Sequence, residues 1–292
     1  MKVLGLDIGF GHTKVVSDGV KMKFPTMIAY APNDPYAELD VVNIAGMSYV
    51  VGRDARFSQF GIEIPTVAEL VKYAPVFLRY VTGILGEFDV VVTGLPPNCK
   101  AYVPVLKQNL ESVASGTQFE ILPQGVGILY DVMDKISDEV IIVDIGYNTV
   151  DCVVAKEHQG VWKKSQVVTF EGFGVMKCVE LMRDILPQSL EFFRNRSASR
   201  LLDAFERGYV MLDGEKVALD SFKAEAQRKY GEILMAKIKQ ELKGDYRAMA
   251  QVVIAGGGAY YIDPKQFGSG VYVPQEPEFS QARGYYKCGK EE

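Results

Sequence analysis

Apolar residues occur along the chain in two arrangements, as short continuous runs and as longer stretches with helical spacing. Short runs of the kind that form buried strands lie at 2–6, 13–17, 89–93, 118–122, 139–143, 150–155, 161–170 and 251–255. Apolar residues at i, i+3, i+4 and i+7 occur at 67–81, from about 102, from about 125, at 174–186 and at 221–243. Strands precede helices in both halves of the chain, which predicts an α/β protein.

Prolines and turn residues set the expected limits of several elements. Pro75 falls inside the first helical stretch, where we expect it to break or kink the helix. The sequence Pro-Asn-Asp-Pro at 32–35 predicts a turn. A short extended segment at 271–273 and a final helix near 276–287 complete the predicted order.

One sequence pattern occurs twice, as LGLDIGFGHTKVV at 4–16 and as IIVDIGYNTVDCV at 141–153. Asp7 corresponds to Asp144 and Gly9 to Gly146, an offset of 137 positions. This period is far too long for a solenoid repeat and is about the length of a domain. The sequence therefore predicts two domains that each begin with the same strand, turn and strand.

The first copy, residues 7–14, combines a tight turn with groups that can bind anions. Gly9 and Gly11 are expected to supply positive φ. Asp7 ends a buried strand, where a carboxylate needs a partner or a cation. Thr13 and Lys14 add a hydroxyl and an ammonium group, and free backbone N–H groups of the turn can point at phosphate oxygens.

The second copy repeats the acid and Gly146, and it adds the hydroxyl of Thr149. Asn148 stands where the first turn has its second glycine, and we expect it to adopt the left-handed backbone. Two such hairpins facing each other would hold a polyphosphate, with a divalent cation between Asp7 and Asp144. Mg²⁺ suits oxygen ligands and keeps several waters, so these acids are expected to act through water.

A third glycine-rich segment, AGGGAY at 255–260, follows a predicted buried strand. Gly256, Gly257 and Gly258 would let the backbone approach a flat ligand and begin a helix. The chain contains no G-x-x-x-x-G-K-[ST], and no G-x-G-x-x-G follows a strand. These absences exclude the P-loop and the Rossmann fingerprint.

Composition restricts the class of protein and its partners. The chain has 292 residues, 48% of them apolar, and a formal charge of −5. An acidic chain has no electrostatic reason to bind nucleic acid directly, so any link to DNA would need a partner. Four scattered cysteines and two histidines argue against zinc sites and disulfides. No run reaches the roughly 18 apolar residues of a membrane span, so we expect a cytoplasmic protein that does not bind membranes.

The three glycine segments, in this order, resemble those of the actin superfamily ATPases. The match is closest to bacterial and archaeal actins of the ParM (plasmid-segregation) type, through G-x-G-x-T-K in the first turn, P-Q-G-V-G at 123–127 and the triple glycine. The resemblance implies an actin-like ATPase fold, in which two RNase H-like domains flank a nucleotide cleft and carry small outer subdomains.

This resemblance implies domain limits. The first domain would span 1–137, with a small insert at about 33–60, and the final helix at 276–287 would pack back on it. The second would span 138–275, with a reduced helical subdomain at about 185–245.

The resemblance also implies roles for individual residues, with ATP or GTP and Mg²⁺ as cofactors. Asp7 and Asp144 would hold the hydrated metal, and Lys14 would contact the β- and γ-phosphates. Gln124 would position the attacking water, and Asp151 would help to polarise it. The implied nucleotide-binding residues are Gly9, Gly11, Thr13, Lys14, Gly146, Asn148, Thr149 and Gly256–Gly258. Tyr147 and Asn148 replace the small residues usual in the second turn.

Other interpretations of these residues and of the chain stay open. Gln124 could cap the helix that follows it, and Lys14 could be a solvated strand residue. The chain could be an ATPase that polymerises into filaments, with a DNA-binding adaptor if it segregates plasmids. It could instead be a small-molecule kinase of the sugar-kinase type, or a nucleotide-gated interaction module that does not polymerise.

Overall fold

The computed structural model describes residues 1–32, 39–58, 60–243 and 251–291. The chain divides into two compact units. Unit 1 comprises Met1–Lys135 and Phe279–Glu292, and unit 2 comprises Ile136–Glu278. Residues 33–35 of the turn predicted at 32–35 lie outside the described residues. So do residues 33–38 and 59 of the predicted insert and the last two residues of the predicted helical subdomain.

The elements of the first stretch of unit 1 are β1 Val3–Ile8, β2 His12–Ser17, β3 Val20–Pro25, β4 Ile28–Tyr30, β5 Val41–Ile44, β6 Met47–Val51, β7 Gly61–Ile62, α1 Val67–Leu85, β8 Val90–Leu95, α2 Val103–Glu111, β9 Gln118–Pro123 and α3 Val126–Val132. Those of unit 2 are β10 Glu139–Ile145, β11 Thr149–His158, β12 Val161–Glu171, α4 Val175–Ile185, α5 Glu191–Arg194, α6 Ala198–Arg207, β13 Tyr209–Leu212, β14 Glu215–Ala218, α7 Asp220–Glu241, β15 Gln251–Ala255 and β16 Val271–Tyr272. Unit 1 resumes with α8 Ser280–Glu291.

Each unit contains a five-stranded sheet, and the two sheets have the same arrangement. The strand order is β3-β2-β1-β8-β9 in unit 1 and β12-β11-β10-β15-β16 in unit 2. In both sheets two antiparallel hairpins form one side, and strands that pair in parallel form the other. β1 and β10 are therefore equivalent, and the repeated Asp-Ile-Gly sequence ends the equivalent strand of each sheet.

The two units have separate apolar cores. Every residue of β1 is buried, as expected for a strand in the middle of a sheet that is covered on both faces. α1 supplies Phe77 and Leu78 to the core of unit 1, and α7 supplies Tyr230 to the core of unit 2. These cores hold the strands that carry the glycine turns.

Two hairpins that the sequence analysis did not predict in full have two-residue turns in which both residues have positive φ. Asp213 (φ 49°) and Gly214 (φ 87°) connect β13 to β14, and Ala45 (φ 49°) and Gly46 (φ 78°) connect β5 to β6. Two successive residues with positive φ match the twist of a hairpin. The Asp-Gly dipeptide is a strong hairpin signal in sequence, and it could have identified β13 and β14.

Of the two predicted effects of Pro75, a break or a kink, the break does not occur, because α1 continues from Val67 to Leu85 with the proline inside it. A proline has no N–H to donate to the carbonyl four residues earlier, which here belongs to Val71. The side chain of Asn109 on α2 donates to the Val71 carbonyl at 3.0 Å instead. The freed acceptor is thus satisfied by a neighbouring helix.

The C-terminal helix α8 begins at Ser280, after a short 3-10 helix at Pro277–Phe279, and not at 276 as predicted. It packs against α3 and β1 of unit 1. Asp131 of α3 is buried and accepts hydrogen bonds from Ser280 Oγ (2.6 Å) and from Arg283 Nε (3.0 Å) and Nη2 (2.7 Å). This buried carboxylate is fully paired, so it anchors α8 beside the loop that carries Gln124.

Candidate functional site

The first glycine hairpin joins β1 to β2, and its register sets Asp7 opposite Lys14. The N–H of Gly9 donates to the His12 carbonyl at 3.2 Å and closes the turn. The expectation of positive φ at Gly9 and Gly11 is wrong, because neither is among the residues with positive φ. A Cβ at Gly9 would instead lie 3.1 Å from Lys14 Nζ. The same Cβ would lie 3.2 Å from the His12 carbonyl oxygen, so a side chain at this position would crowd both neighbours.

Asp7 and Lys14 form a largely buried ion pair. Lys14 Nζ donates to Asp7 Oδ2 at 2.9 Å, and the side chains are 15% and 9% exposed. A buried carboxylate needs such a partner, since leaving it unpaired in the interior is costly. The remaining N–H groups of the ammonium can still donate to an anion.

Thr13 lies on the opposite face of β2 from Lys14, as strand alternation requires. Its side chain is fully buried, and its Oγ1 is 3.0 Å from the Thr26 Oγ1. The structure therefore does not bring the Thr13 hydroxyl to the ion pair of Asp7 and Lys14.

The second glycine hairpin joins β10 to β11, and its turn supports the start of α4. Gly146 donates to the Thr149 carbonyl at 2.9 Å, and the Gly146 carbonyl accepts from the N–H of Val175 at 3.0 Å. The carbonyls of Tyr147 and Asn148 also accept from the first residues of α4. Asn148 is not among the residues with positive φ, so the expected left-handed backbone there is wrong. The turn satisfies N–H groups that a helix start would otherwise leave open.

Asp144 and Asp151 are cross-strand partners, so the second hairpin sets two carboxylates opposite each other. Asp151 is 3% exposed and accepts a hydrogen bond from the Thr169 hydroxyl of β12. Burial raises the pKa of the Asp151 carboxyl, and hydrogen bonds from Thr169 and Thr149 oppose that rise. Asp144 is only partly buried. The hairpin thus has one enclosed acid and one more accessible acid.

The triple glycine follows β15, which pairs in parallel with β10. Gly256 has φ 80°, and a Cβ there would lie 2.3 Å from Asp144 Oδ1. A Cβ at Gly258 would lie 2.0 Å from the Ile145 Cγ2. No atom lies within 4 Å of the Cβ position of Gly257. Two of the glycines are therefore required by the packing against β10, and Gly257 is left with open space. The helix that follows is a 3-10 helix, Gly257–Tyr261.

Gln124 lies between β9 and α3, and its N–H donates to the Leu95 carbonyl at 2.8 Å. Gln124 is not the cap of the helix that follows it, because Gly125 is the N-cap of α3 and α3 has no side-chain cap. The Gly125 N–H donates instead to Oε1 of the buried Gln281 on α8 at 3.0 Å. Gln281, which the sequence analysis did not single out, thus fixes the turn after Gln124. It pairs across 156 positions, so no local pattern could have identified it.

No group of three or more His, Cys, Asp or Glu side chains that could hold a metal is found among the residues that the structure describes. Mg²⁺ requires fewer protein ligands, because it keeps several waters and takes one or two carboxylates together with phosphate oxygens. Taken separately, Asp7 in unit 1 and the partly exposed Asp144 in unit 2 are carboxylates of the kind that this mode of binding uses. In the described part of the chain, no helix is long and apolar enough to cross a membrane.

Two family descriptions match the chain and together cover most of it. Residues 5–128 match the actin like proteins N terminal domain, and residues 142–266 match the C-terminal domain of the archaeal actin homologue MreB-like family. The chain belongs to the actin superfamily. The resemblance and the actin-like α/β fold predicted from the sequence are confirmed. No curated protein matches the chain.

Solved structures with the same fold include ParM proteins and an archaeal actin homologue. The archaeal actin homologue Ta0583 in complex with ADP has a TM-score of 0.80 and 18% identity, over 100% of both chains. The pCBH ParM non-polymerisable quadruple mutant has a TM-score of 0.77 and 19% identity, over 100% of this chain and 99% of that one. Bacillus thuringiensis ParM with AMPPNP has a TM-score of 0.65 and 15% identity, with the same coverage. At these identities the likeness establishes the fold.

Proposed function

We propose that this chain is an actin-type ATPase that binds a magnesium nucleoside triphosphate and hydrolyses its terminal phosphate. The observation that carries the proposal is the duplicated hairpin, which ends β1 with Asp7 and β10 with Asp144 at the same position of two equivalent sheets. The ADP and AMPPNP complexes of proteins with this fold support a nucleotide as the ligand. ATP is the proposed nucleotide, and GTP is the alternative.

The residues of the two hairpins have different proposed tasks. Lys14 and the N–H groups of the first turn would bind phosphate oxygens, since an ammonium group and backbone amides are good anion donors. Asp7 and Asp144 would hold the hydrated Mg²⁺, which supplies charge neutralisation at the phosphates. The backbone at Gly257, where space is open, would contact the nucleoside. The other proposed nucleotide-binding residues are Gly9, Gly11, Gly146, Asn148, Thr149, Gly256 and Gly258; Thr13 is not among them, because its hydroxyl is buried against Thr26.

Hydrolysis depends on the position of the attacking water more than on covalent chemistry by the protein. Gln124 is the proposed positioning group, because its side chain is not used as a helix cap and the next residue is held by Gln281. Asp151 would help to polarise the same water without contacting it directly. Its enclosure and its bond to Thr169 favour this role over that of a base for a bulky alcohol, so they support hydrolysis over a sugar kinase.

We further propose that the protein polymerises in the cytoplasm and that nucleotide hydrolysis weakens the filament. A ParM from Clostridium botulinum, which has this fold at 19% identity, forms a 15-stranded filament. Plasmid segregation by such a filament would require a separate DNA-binding adaptor, because the chain carries a net negative charge.

Phosphate release and sedimentation with ATP and Mg²⁺ test this proposal. We expect Gln124→Ala to bind ATP with unchanged affinity and to hydrolyse it about 100-fold more slowly, because only the water is misplaced. Gln108→Ala, on the exposed face of α2, is the matched control and should behave as the wild type. Filaments of the Gln124 variant should persist longer in electron micrographs.

Three outcomes would contradict parts of the proposal. Calorimetry without heat for any nucleoside triphosphate would remove the nucleotide-binding function. Phosphate transfer that requires an added sugar would replace the ATPase with a kinase. Protein that stays in the supernatant with ATP at all concentrations would remove polymerisation and leave a nucleotide-gated interaction module.

A further inference from the structure

The backbone on both sides of Gln124 is held by hydrogen bonds to two different parts of unit 1. The N–H of Gln124 donates to the Leu95 carbonyl of β8 at 2.8 Å, and the next N–H along the chain, that of Gly125, donates to Oε1 of Gln281 on α8 at 3.0 Å. The first bond joins two backbone groups and does not depend on a side chain. The second bond does, so the orientation of the peptide group between Gln124 and Gly125 depends on the Gln281 amide.

The glycine at position 125 allows this peptide group to turn over. Gly125 has φ 85° and ψ −31°, and glycine adopts positive and negative φ about equally readily. A half-turn of the peptide group would reverse the direction of its N–H and would change ψ of Gln124. The rotamers that a side chain can adopt depend on its own φ and ψ. The bond to Gln281 therefore selects one orientation of the peptide group, and with it the directions open to the Gln124 side chain.

The Gln281 amide is not explained by a contribution to stability. Its side chain is 4% exposed, and its Nε2 has no hydrogen-bond partner in the part of the chain that the structure describes. A buried donor without a partner costs at least as much free energy as one accepted hydrogen bond contributes. An apolar side chain of similar size would avoid this cost. The effect that the amide does have is to hold the N–H of Gly125.

Close packing of α8 on α3 fixes the position of Gln281. A Cβ at Gly284 would overlap the Gly127 carbonyl, and a Cβ at Gly127 would lie 2.6 Å from Gln281 Nε2. The two helices therefore touch at their glycines, with the Gln281 amide beside the contact. The neighbouring Ser280 donates to the buried Asp131 of α3. The acceptor of the Gly125 N–H is thus placed by helix packing.

We propose that Gln281 is a positioning residue for nucleotide hydrolysis, an inference that rests on the proposed function of Gln124. By accepting the Gly125 N–H, Gln281 selects the orientation of the peptide group in which the Gln124 amide faces the attacking water. Gln281 acts through Gln124 and needs no contact with the nucleotide. The C-terminal helix α8, which carries no glycine turn and no proposed ligand residue, thereby contributes to the rate of hydrolysis.

Steady-state phosphate release with ATP and Mg²⁺ tests this role. Gln281→Leu removes the acceptor and the unpaired Nε2 together, so we expect kcat to fall about tenfold while KM and AMPPNP affinity change less than about twofold. Gln281→Glu keeps an acceptor for the Gly125 N–H and should retain most of the rate. Tyr286→Phe is the matched control, because it removes a different hydrogen bond of α8, to Asp18, and should leave kcat unchanged.

A double-mutant cycle distinguishes positioning from a general loss of structure. Because Gln281 acts through Gln124, Gln281→Leu should slow hydrolysis about tenfold in the wild type and less than about twofold in Gln124→Ala. Amide hydrogen exchange at Gly125 should be faster in Gln281→Leu than in Tyr286→Phe, since only the first variant removes its acceptor. Urea unfolding of Gln281→Leu and Tyr286→Phe should give similar midpoints.

The outcomes separate the positioning role from the proposed function. An unchanged kcat in Gln281→Leu would overturn the positioning role, and so would an equal loss of rate with and without Gln124. A folded Gln281→Glu variant as slow as Gln281→Leu would overturn it as well, because an accepted hydrogen bond would then not be what matters. In all three cases the wild type still hydrolyses ATP, so the proposed function stands. A wild-type protein that releases no phosphate would overturn the proposed function and the positioning role together.

Discussion

The β1–β2 hairpin of unit 1 and the β10–β11 hairpin of unit 2 have equivalent positions in their sheets, but their charges differ. The row across the first sheet is Asp7, Lys14 and Lys23, and the row across the second is Asp144, Asp151 and Thr169. Each residue of one row corresponds in register to a residue of the other. One row carries two ammonium groups for one carboxylate, and the other carries two carboxylates.

This difference in charge indicates how two hairpins with the same backbone arrangement can bind different ligands. A concentration of positive charge attracts anions, and a pair of carboxylates attracts cations. In the proposed function both aspartates hold the hydrated metal, and the first hairpin also binds phosphate through Lys14. We therefore propose that the residue opposite each aspartate, Lys14 or Asp151, determines whether a hairpin binds phosphate in addition to the metal.

Replacing the two equivalent aspartates should have unequal effects on metal dependence. We expect Asp144→Asn to lower the ATPase rate at least about 100-fold, because a carboxylate that holds the Mg²⁺ shell is lost. Asp7→Asn also removes a carboxylate, but it releases Lys14, so this variant should bind ADP more tightly than the wild type when Mg²⁺ is absent. Phosphate release and calorimetry with and without Mg²⁺ measure both effects.

Asp213→Asn, in the exposed turn between β13 and β14, is the control for loss of one negative charge in unit 2. It should leave the rate and the metal dependence unchanged. Identical behaviour of the Asp7 and Asp144 variants would contradict the different roles assigned to the two hairpins.

Every strand of the two five-stranded sheets except β3 could be predicted from the sequence, and so could the membership of the superfamily, because apolar runs and the repeated Asp-Ile-Gly are local signals. The conformations of the turns could not. A Cβ at Gly9 would crowd the ammonium group of Lys14 and the His12 carbonyl, and Gly256 is required by its positive φ and by Asp144, which comes from a different strand. Such contacts depend on tertiary packing, so the sequence shows that a position is glycine but not which neighbouring atoms exclude a side chain there.

Hydrogen-bond partners that are distant in the sequence account for the other differences between the predictions and the structure. Pro75 was expected to break or kink a helix, and the hydrogen bond that it removes is replaced by one from Asn109, 38 positions from the carbonyl that accepts it. The turn after Gln124 is held by Gln281 through a bond between distant segments. The charged row through Lys23 is visible only when the register of β2 and β3 is known. Sequence spacing alone does not give that register.

The two glycine substitutions in the loop after β15 should separate packing from ligand contact. Gly256→Ala should lower the free energy of unfolding by about 3 kcal/mol, since its φ is positive and its Cβ would overlap Asp144. Gly257→Ala should change it by less than about 0.5 kcal/mol, because the space there is open. Urea unfolding measures both, and equal losses would contradict the packing of this loop on the acidic hairpin.

The enclosed acid of the second hairpin should make unit 2 less stable as the pH rises. The ordinary pKa of Asp151 is 3.8, and burial raises it in the folded state. Between 3.8 and the raised pKa of the folded state, the folded chain keeps a proton that the unfolded chain has released. The free energy of unfolding therefore falls as the pH rises through this window.

Asp151→Asn removes this penalty and keeps an acceptor for Thr169. We expect this variant to match the wild type at acid pH and to exceed it on the order of 1 kcal/mol at pH 7. Urea unfolding over this pH range, with Asp184→Asn on the exposed face of α4 as the control, measures the difference. A constant difference at all pH values would mean that Asp151 does not titrate in this way, and that its burial has no electrostatic cost.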